Sequence, residues 1–169
     1  MRLPEDAAAI LALDVSFTTA LIYQAEASDH GVGLSPQRLP RPIIKRFPLD
    51  DLDTAERPWD LGWVAIAGPH LVGFLAAEAQ AWNRRLVIWH FYVDAPLRGR
   101  GVGRALMAEA KRRAGEAGAR RLWAETSSLN APGLAAYRAL GFRLCGLDLS
   151  LYSDTPADGE TALFLTCDL

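Results

Sequence analysis

A hexamer rich in glycine and arginine is the part of this sequence best suited to bind a ligand. It reads RGRGVG, Arg98 to Gly103, and lies between an apolar run and the helical pattern RALMAEAKRRA. Glycines let a ligand approach the backbone, while arginines and the N–H groups at a helix start attract anions. The hexamer therefore indicates a phosphate-binding turn. On these six residues alone, a plain glycine turn with solvated arginines stays open.

Spacing excludes two well-known phosphate loops. A dinucleotide-binding loop needs GxGxxG, but Gly101 and Gly103 are followed by RAL, so the third glycine is missing. A P-loop needs GxxxxGK[ST], and no lysine in the chain precedes a serine or threonine. The hexamer must therefore be judged with the elements around it.

The alternation of apolar and turn residues predicts a meander followed by strand–helix–strand–helix–strand–strand. The pattern predicts an α+β fold, a mixed and mostly antiparallel sheet flanked by helices, in one domain spanning residues 1–169. The glycine- and proline-rich stretch HGVGLSPQRLPRPIIKRFP is predicted to be loop with one edge strand. The run LVIWHFYV is apolar at nearly every position, which predicts a strand covered on both faces. Strands are predicted at 17–27, 62–68, 70–80, 84–94, 119–126, 142–152 and 160–169, and helices at 5–13, 102–117 and 130–140.

Charge is unevenly distributed along the chain. The 169 residues carry a net charge of −2, which argues against a general nucleic-acid binder. Between Arg98 and Arg121, eight residues are basic and two are acidic, a local +6 that leaves −8 for the rest. This asymmetry predicts one anionic ligand bound near the hexamer and an acidic surface elsewhere.

Targeting and metal signals are weak in this sequence. No apolar run approaches the ~18 residues of a membrane span, and the N-terminal stretch carries Glu5 and Asp6 rather than a signal-peptide pattern. Cys145 and Cys167 form no CxxC and have no neighbouring histidine pair. We therefore expect a cytoplasmic protein that binds no metal, no membrane and no nucleic acid.

Two spaced motifs resemble those of one enzyme family. Arg98, Gly101 and Gly103, after a buried strand and at a helix start, resemble the acetyl-CoA loop of the GNAT N-acetyltransferases. Downstream, ETSSLNAPGLAAYRALGF resembles the family's second motif, in which Asn130 precedes a helix that carries Tyr137 and ends before Gly-Phe. The chain is therefore identified as similar to the GNAT family, which implies the GNAT fold.

Residues 80–169 resemble the streptothricin acetyltransferase subgroup more closely. The segments WNRR, LWAETSSLN, GFRLCGLDLSLY and ETALFLTCDL follow that subgroup's order. The chain departs from it midway along the buried strand, where the subgroup usually carries acidic residues and this chain has Trp89 and His90.

The resemblance implies acetyl-CoA as cosubstrate. Backbone N–H groups near the end of the buried strand would stabilise the thioester oxyanion, and the arginine-rich turn would hold the pyrophosphate. The residues predicted to bind acetyl-CoA are Phe91, Tyr92, Val93, Arg98, Gly99, Arg100, Gly101, Val102, Gly103, Arg104, Asn130 and Tyr137.

Acetyl transfer to an amine requires proton transfers. Glu125, at the end of its strand, is the first candidate for the base that deprotonates the amine, and His90 is the rival because imidazole titrates near neutrality. Tyr137 matches the family's proton donor to the departing thiolate. Glu78 and Trp89, with Glu125, are predicted to line the acceptor site.

The sequence therefore predicts transfer of an acetyl group from acetyl-CoA to a primary amine of a small cationic molecule, such as a streptothricin-like antibiotic. Acetylation of a protein N-terminus or lysine is an alternative. A non-catalytic acyl-CoA sensor is an alternative of another class. Relatives in the family are often dimers, so a homodimer is one expectation.

Overall fold

The computed structural model describes residues 1–52, 54–55 and 57–169. These fall into two compact units. The first comprises Met1–Ser16, Arg46–Trp123 and Asp168–Leu169, and the second comprises Phe17–Lys45 and Ala124–Cys167. The expectation of a single domain stays a prediction.

The elements confirm the predicted fold class, α+β, since each unit contains both strands and helix. The observed order also agrees, and the edge strand expected in the proline-rich stretch is present and spans most of it. In chain order the elements are α1 (Ala7–Leu11), β1 (Phe17–Ser28), β2 (Gly31–Lys45), β3 (Leu61–Ala67), β4 (His70–Gln80), β5 (Arg85–Val93), a 3-10 turn (Ala95–Leu97), α2 (Val102–Glu116), β6 (Arg121–Ser127), α3 (Ala131–Ala139), β7 (Arg143–Asp148) and β8 (Ala162–Asp168). None of the helices in the described ranges has both the length and the apolar character needed to cross a membrane.

The first unit contains the predicted antiparallel meander, with strand order β3-β4-β5. Phe74 on β4 pairs with Val64 on β3 and with Tyr92 on β5. The register of β4 and β5 shifts between Ala76 and Ala77. Six consecutive β4 residues, 72–77, are buried, so both faces of this strand are covered.

The buried face of the meander packs on a core that includes α1. Ile10, Leu13 and Val15 near the N-terminus pack in one cluster with Trp59 and Phe74. Strand β5 departs from the sequence prediction at one position. Trp89 is 46% exposed, so the expectation that both faces of this strand are covered fails there.

Helix α2 packs closely on the meander because glycines lie at the contacts. It buries Leu106, among others, at helical spacing. A Cβ at Gly73 would lie 2.8 Å from the carbonyl oxygen of Tyr92 and 3.3 Å from Leu106 Cδ1. Gly118, with a φ of +71°, follows the helix, which confirms that glycine ends it.

The second unit begins with a two-stranded ribbon, which contains the edge strand expected in the glycine- and proline-rich stretch and leaves little of the expected loop. Residues 31–45 form β2, antiparallel to β1. Pro36 pairs with Tyr23 in a sheet of two strands, where a missing N–H is tolerated. Pro40 and Pro42 fall where the register shifts opposite Ala20, outside the regular ladder. A strand with several prolines is therefore possible here, because in a two-stranded sheet each strand has one unpaired edge.

The other strands of the second unit follow the order β6-β8-β7. Strand β7 ends at Asp148, although the sequence pattern predicted a strand through Tyr152. The Asp148 carboxylate accepts hydrogen bonds from the N–H groups of Ser150 and Leu151, which turns the chain out of the ladder. Asn130 caps α3 as predicted, because its Oδ1 accepts the N–H of Gly133 at 2.9 Å.

Candidate active site

In the first unit, the predicted phosphate turn opens α2. Gly99 and Gly101 have φ angles of +76° and +88°, in the left-handed region that favours glycine. The N–H of Ala105 donates to the carbonyl of Gly101. The N–H groups of residues 102–104 therefore lie at the helix start, where no carbonyl of the helix can accept them. A Cβ at Gly101 would meet no atom within 4 Å, so the backbone there is open to a ligand.

Arg98 plays a structural part that the sequence did not reveal. Its guanidinium donates to the carbonyls of Val93 at 3.0 Å, Ser16 at 2.7 Å and Asp14 at 3.1 Å. The side chain thereby joins the N-terminal segment to the end of β5. A guanidinium has five N–H groups, so a phosphate contact by Arg98 stays a prediction.

Arg100 and Arg104 differ from Arg98 in having uncommitted charges. Both side chains are exposed, and neither has a hydrogen bond or ion pair within the described part of the chain. Two such guanidiniums beside the open N–H groups of a helix start suit an anion such as a pyrophosphate. The residues of this turn thus fit the phosphate end of coenzyme A.

The end of β5 is held firmly against its neighbours. Val93 pairs with Gly73 of β4, and the N–H of Asp94 donates to the carbonyl of Val72 at 3.0 Å. A Cβ at Gly103 would lie 3.2 Å from Phe91 Cζ, so α2 approaches this strand closely. The oxyanion role of Phe91, Tyr92 and Val93 stays a prediction.

The first unit also brings Glu78 and Trp89 together. The indole N–H of Trp89 donates to the Glu78 carboxylate at 3.3 Å, and Gln80 donates to the same oxygen at 3.1 Å. The half-exposed indole and its acidic partner suit a cationic group. Their predicted contact with the acceptor stays a prediction.

His90, the rival base, lies in an aromatic and acidic environment. Its Nε2 lies 2.9 and 2.8 Å from the two carboxylate oxygens of Asp51, which also accepts the indole N–H of Trp59 at 2.6 Å. Its ring packs against those of Phe74 and Tyr92, at 5.7 and 6.0 Å. Nδ1 is buried without a hydrogen-bond partner among the described residues. These contacts favour a structural histidine.

In the second unit, the Glu125 carboxyl lies partly buried near the end of β6. The hydroxyl of Tyr152 donates to its Oε1. Burial raises the pKa of Glu125 above the usual glutamate value, and the charge of Glu160 acts in the same direction. The Tyr152 hydrogen bond and the charge of Lys45 oppose that rise without cancelling it. A carboxylate with increased proton affinity is a better base.

Three residues around Glu125 were missed by the sequence reasoning. They are Tyr152, Glu160 and Lys45, and Glu160 forms an ion pair with Lys45. Tyr152 and Glu160 lie at either end of the polar loop SDTPADG, inside the segments that carried the subgroup resemblance. Their position in these segments was the only sequence signal for Tyr152 and Glu160.

Helix α3 carries the remaining predicted residues. Tyr137 is buried, and its ring packs edge-on against Phe142 with centroids 5.0 Å apart. The Asn130 side chain caps the helix and donates to Thr126 Oγ1 at 2.9 Å. The proton-donor role of Tyr137 and the acetyl-CoA contact of Asn130 stay predictions.

The α+β fold and the glycine-rich turn at the start of α2 define an acetyl-CoA-dependent acyltransferase. Comparison with known proteins makes this more specific. Residues 21–142 match the model of the acetyltransferase (GNAT) family, and the chain belongs to that family. Enzymes of this family use acetyl-CoA, and the chain is an N-acetyltransferase.

Similar proteins include two curated ones. The chain is 40% identical over 170 aligned positions to the streptothricin acetyltransferase of Streptomyces lavendulae, covering 96% of this chain and 90% of that protein. It is 31% identical to the streptothricin acetyltransferase of Escherichia coli, covering 96% of this chain and 91% of that protein.

Solved structures agree along nearly the whole chain. The crystal structure of nourseothricin acetyltransferase has a TM-score of 0.89 and 42% identity, covering 99% of this chain and 95% of that one. A Bacillus anthracis str. Ames protein solved with acetyl coenzyme A has a TM-score of 0.81 at 22% identity, covering 99% and 97%. The second structure supports the fold.

Proposed function

We propose that this enzyme acetylates a primary amine of a small cationic molecule of the streptothricin class. The observation that carries the proposal is the Glu125 carboxyl, partly buried and held by Tyr152, with its pKa raised by burial. Support comes from the 40% identical streptothricin acetyltransferase and from the excess of negative charge outside residues 98–121. An acidic surface attracts a cationic acceptor.

The donor end is held by the turn after β5. Arg100, Arg104 and the N–H groups at the start of α2 would bind the pyrophosphate, and Asn130 would bind the pantetheine arm. Bound acetyl-CoA supplies a thioester whose carbonyl carbon accepts the amine. The N–H groups of Phe91 to Val93 would stabilise the negative charge that develops on the carbonyl oxygen.

The acceptor amine must lose a proton before it attacks. An amine with a pKa of ~10.4 is neutral in only about one molecule in two to three thousand at pH 7. Glu125 takes that proton, and the neutral amine then forms the C–N bond. As the C–S bond breaks, Tyr137 donates a proton to a thiolate whose thiol pKa is ~8.5, and the second proton lost by the nitrogen restores the tyrosine hydroxyl.

An assay with several acceptors tests this proposal. Thiol release from acetyl-CoA is measured with a streptothricin-class amine, free lysine, a peptide with an unblocked N-terminus and a lysine-containing peptide. We expect the highest kcat/KM with the cationic small molecule, and a product heavier by one acetyl group. A preference for either peptide would contradict the acceptor class, and binding of acetyl-CoA without turnover on any amine would indicate a sensor.

A pair of variants tests the base. Glu125→Gln keeps the shape of the side chain and removes its basicity, so we expect kcat/KM for the amine to fall by about 100-fold or more. Glu26→Gln makes the same change on the exposed side of β1 and should leave the rate unchanged. Equal rates in the two variants would exclude Glu125 as the base.

A further inference from the structure

The loop between β7 and β8 returns to the end of β6 at two points. Near its start, Tyr152 donates its hydroxyl to Glu125. At its end, Ser128 donates its N–H to the carbonyl of Thr161 at 2.8 Å and accepts the N–H of Thr161 on its hydroxyl at 3.1 Å. This loop is therefore fixed beside the carboxyl that we propose as the base.

Glu160 has both carboxylate oxygens occupied. Its Oε1 pairs with the ammonium of Lys45, and its Oε2 accepts the hydroxyl of Ser127. The Ser127 oxygen accepts the N–H of Leu129 at 3.0 Å, so its own proton is left for Glu160. The Glu160 and Lys45 side chains are only 11% and 16% exposed. The ion pair is thus largely shielded and has a fixed orientation.

Lys45 is also close enough to Glu125 to act on it electrostatically. The groups that act on Glu125 are the Tyr152 hydroxyl from the loop, the Lys45 ammonium from β2 and the Glu160 carboxylate. A lysine ammonium bound to Glu125 would occupy the place of the acceptor's ammonium and lower the basicity of the carboxylate. Something must therefore keep this internal amine away from the base.

We propose that Glu160 is a positioning residue that binds the Lys45 ammonium and thereby leaves Glu125, held by Tyr152, available to the acceptor amine. Lys45 is thus an internal competitor of the acceptor amine for Glu125. The Ser127 hydroxyl fixes the Glu160 carboxylate that restrains the lysine. The inference rests on the proposed role of Glu125. It goes further in assigning separate tasks to Glu160, Lys45 and Ser127, none of which it places in contact with a substrate.

A double-variant cycle tests the competition. Glu160→Gln releases Lys45, so we expect kcat/KM for the amine to fall by about tenfold, with KM for acetyl-CoA unchanged. Adding Lys45→Met to that variant removes the competitor and should restore most of the loss. Asp168→Asn, which removes the carboxylate that binds Arg121, is the matched control and should have no effect on kcat/KM. A double variant no more active than Glu160→Gln would overturn the proposal.

A second readout does not depend on turnover. The protein is labelled with ¹³C at the side-chain carboxyl of glutamate, and the Glu125 signal is identified by its loss in Glu125→Gln. The pH titration of this signal is then followed by NMR. Loss of the Glu160 charge should lower the pKa of Glu125, whereas Lys45→Met and Tyr152→Phe should each raise it. A structural disturbance alone would not produce opposite shifts from two residues of the same loop.

The two readouts separate failure of this inference from failure of the proposed function. If Glu125→Gln keeps the wild-type rate, the proposed base is wrong, while a larger rise of the Glu125 pKa on Lys45→Met in the Glu160→Gln background than in the wild type still supports the restrained lysine. If the shifts are absent or all in one direction, the positioning role of Glu160 is wrong whatever the rate of Glu125→Gln.

Discussion

Two glycines of the phosphate turn are required for different physical reasons. Gly101 has a left-handed backbone and faces open space, while Gly103 has little room because Phe91 Cζ lies 3.2 Å from where a Cβ would stand. The sequence spacing predicted that both matter, but it could not assign the reasons. The reason at Gly103 depends on β5, which packs against the helix from outside the motif.

Gly101 has a natural control at the other end of α2. Gly118 is also left-handed, with a φ of +71°, and a Cβ there would also meet nothing within 4 Å. Gly101→Glu and Gly118→Glu should therefore destabilise the fold to a similar extent, by about 1–2 kcal/mol. Only Gly101→Glu adds a negative charge where the pyrophosphate is proposed to bind, so only it should raise the Kd for acetyl-CoA, by about tenfold or more. Calorimetric titration and urea unfolding measure the two effects, and equal Kd values would refute the turn assignment.

Tyr137 offers a second test at the level of single residues. Tyr137→Phe keeps the ring against Phe142 and removes only the hydroxyl. We expect kcat to fall by about 100-fold with little change in KM for acetyl-CoA, because a proton donor acts in the transition state. Tyr23→Phe, which removes a hydroxyl that accepts a hydrogen bond from Arg138, is the control in initial-rate measurements. An unchanged kcat would remove Tyr137 as the acid.

Long-range contacts mark the limit of sequence reasoning at this scale. The sequence predicts that Arg98 binds phosphate. Its guanidinium also donates to the carbonyls of Ser16 and Asp14, which lie 82 and 84 positions earlier in the chain. Tyr152 and Glu160 escaped notice because they act 27 and 33 positions from their partners Glu125 and Ser127. Local patterns carry no information on such pairs.

At the scale of elements, the prediction was good wherever apolar periodicity decides the structure. The meander and both longer helices form near their predicted bounds because most of their apolar positions are buried. The edge strand of the proline-rich stretch was expected but its length was not, because proline content also indicates a loop. The end of β7 was missed because a single carboxylate, that of Asp148, turns the chain.

Arg98 and Arg100 separate the support of the turn from its charge. Arg98→Ala removes three hydrogen bonds to carbonyls and should lower the free energy of unfolding by about 1.5–3 kcal/mol. Arg100→Ala removes an exposed side chain without a partner in the described ranges, and should change stability by less than about 0.5 kcal/mol. Both should weaken acetyl-CoA binding, as measured by titration alongside denaturant unfolding. Equal stability of the two variants would contradict the supporting role of Arg98.

For the molecule as a whole, the uneven distribution of charged residues along the chain was visible from the sequence. Within α2 much of the positive charge is compensated locally, since Arg112 and Arg113 pair with Glu109 and Glu116. The Arg112 and Arg113 side chains hold the pKa of Glu109 at about 2, so its carboxylate stays charged at neutral pH. The uncompensated cations of this region therefore include those of the turn, Arg100 and Arg104.

Salt should weaken the capture of both substrates for the same reason, because it screens the attraction between opposite charges. As ionic strength rises to ~0.15 M, the Debye length shortens to ~8 Å, so attraction of the anionic donor to the turn and of the proposed cationic acceptor to the acidic surface that the sequence predicts should both decline. We expect kcat/KM to fall for acetyl-CoA, and to fall more for a polyamine acceptor than for a monoamine. Initial rates at several salt concentrations measure this, and parallel behaviour of the two acceptors would contradict electrostatic selection.

The residues proposed to bind the donor and those proposed to activate the acceptor are distributed differently along the chain. The phosphate turn and its helix form one continuous stretch, whereas the carboxyl network combines residues from positions 45, 125–127 and 152–160. Evolution can inherit or exchange the first as a single piece. Substitutions in the carboxyl network must be coordinated at separate points of the chain, because changing Glu160 alone releases Lys45. Active variants recovered after random mutagenesis of this network should therefore carry paired changes at positions 45 and 160 more often than a single change at position 160.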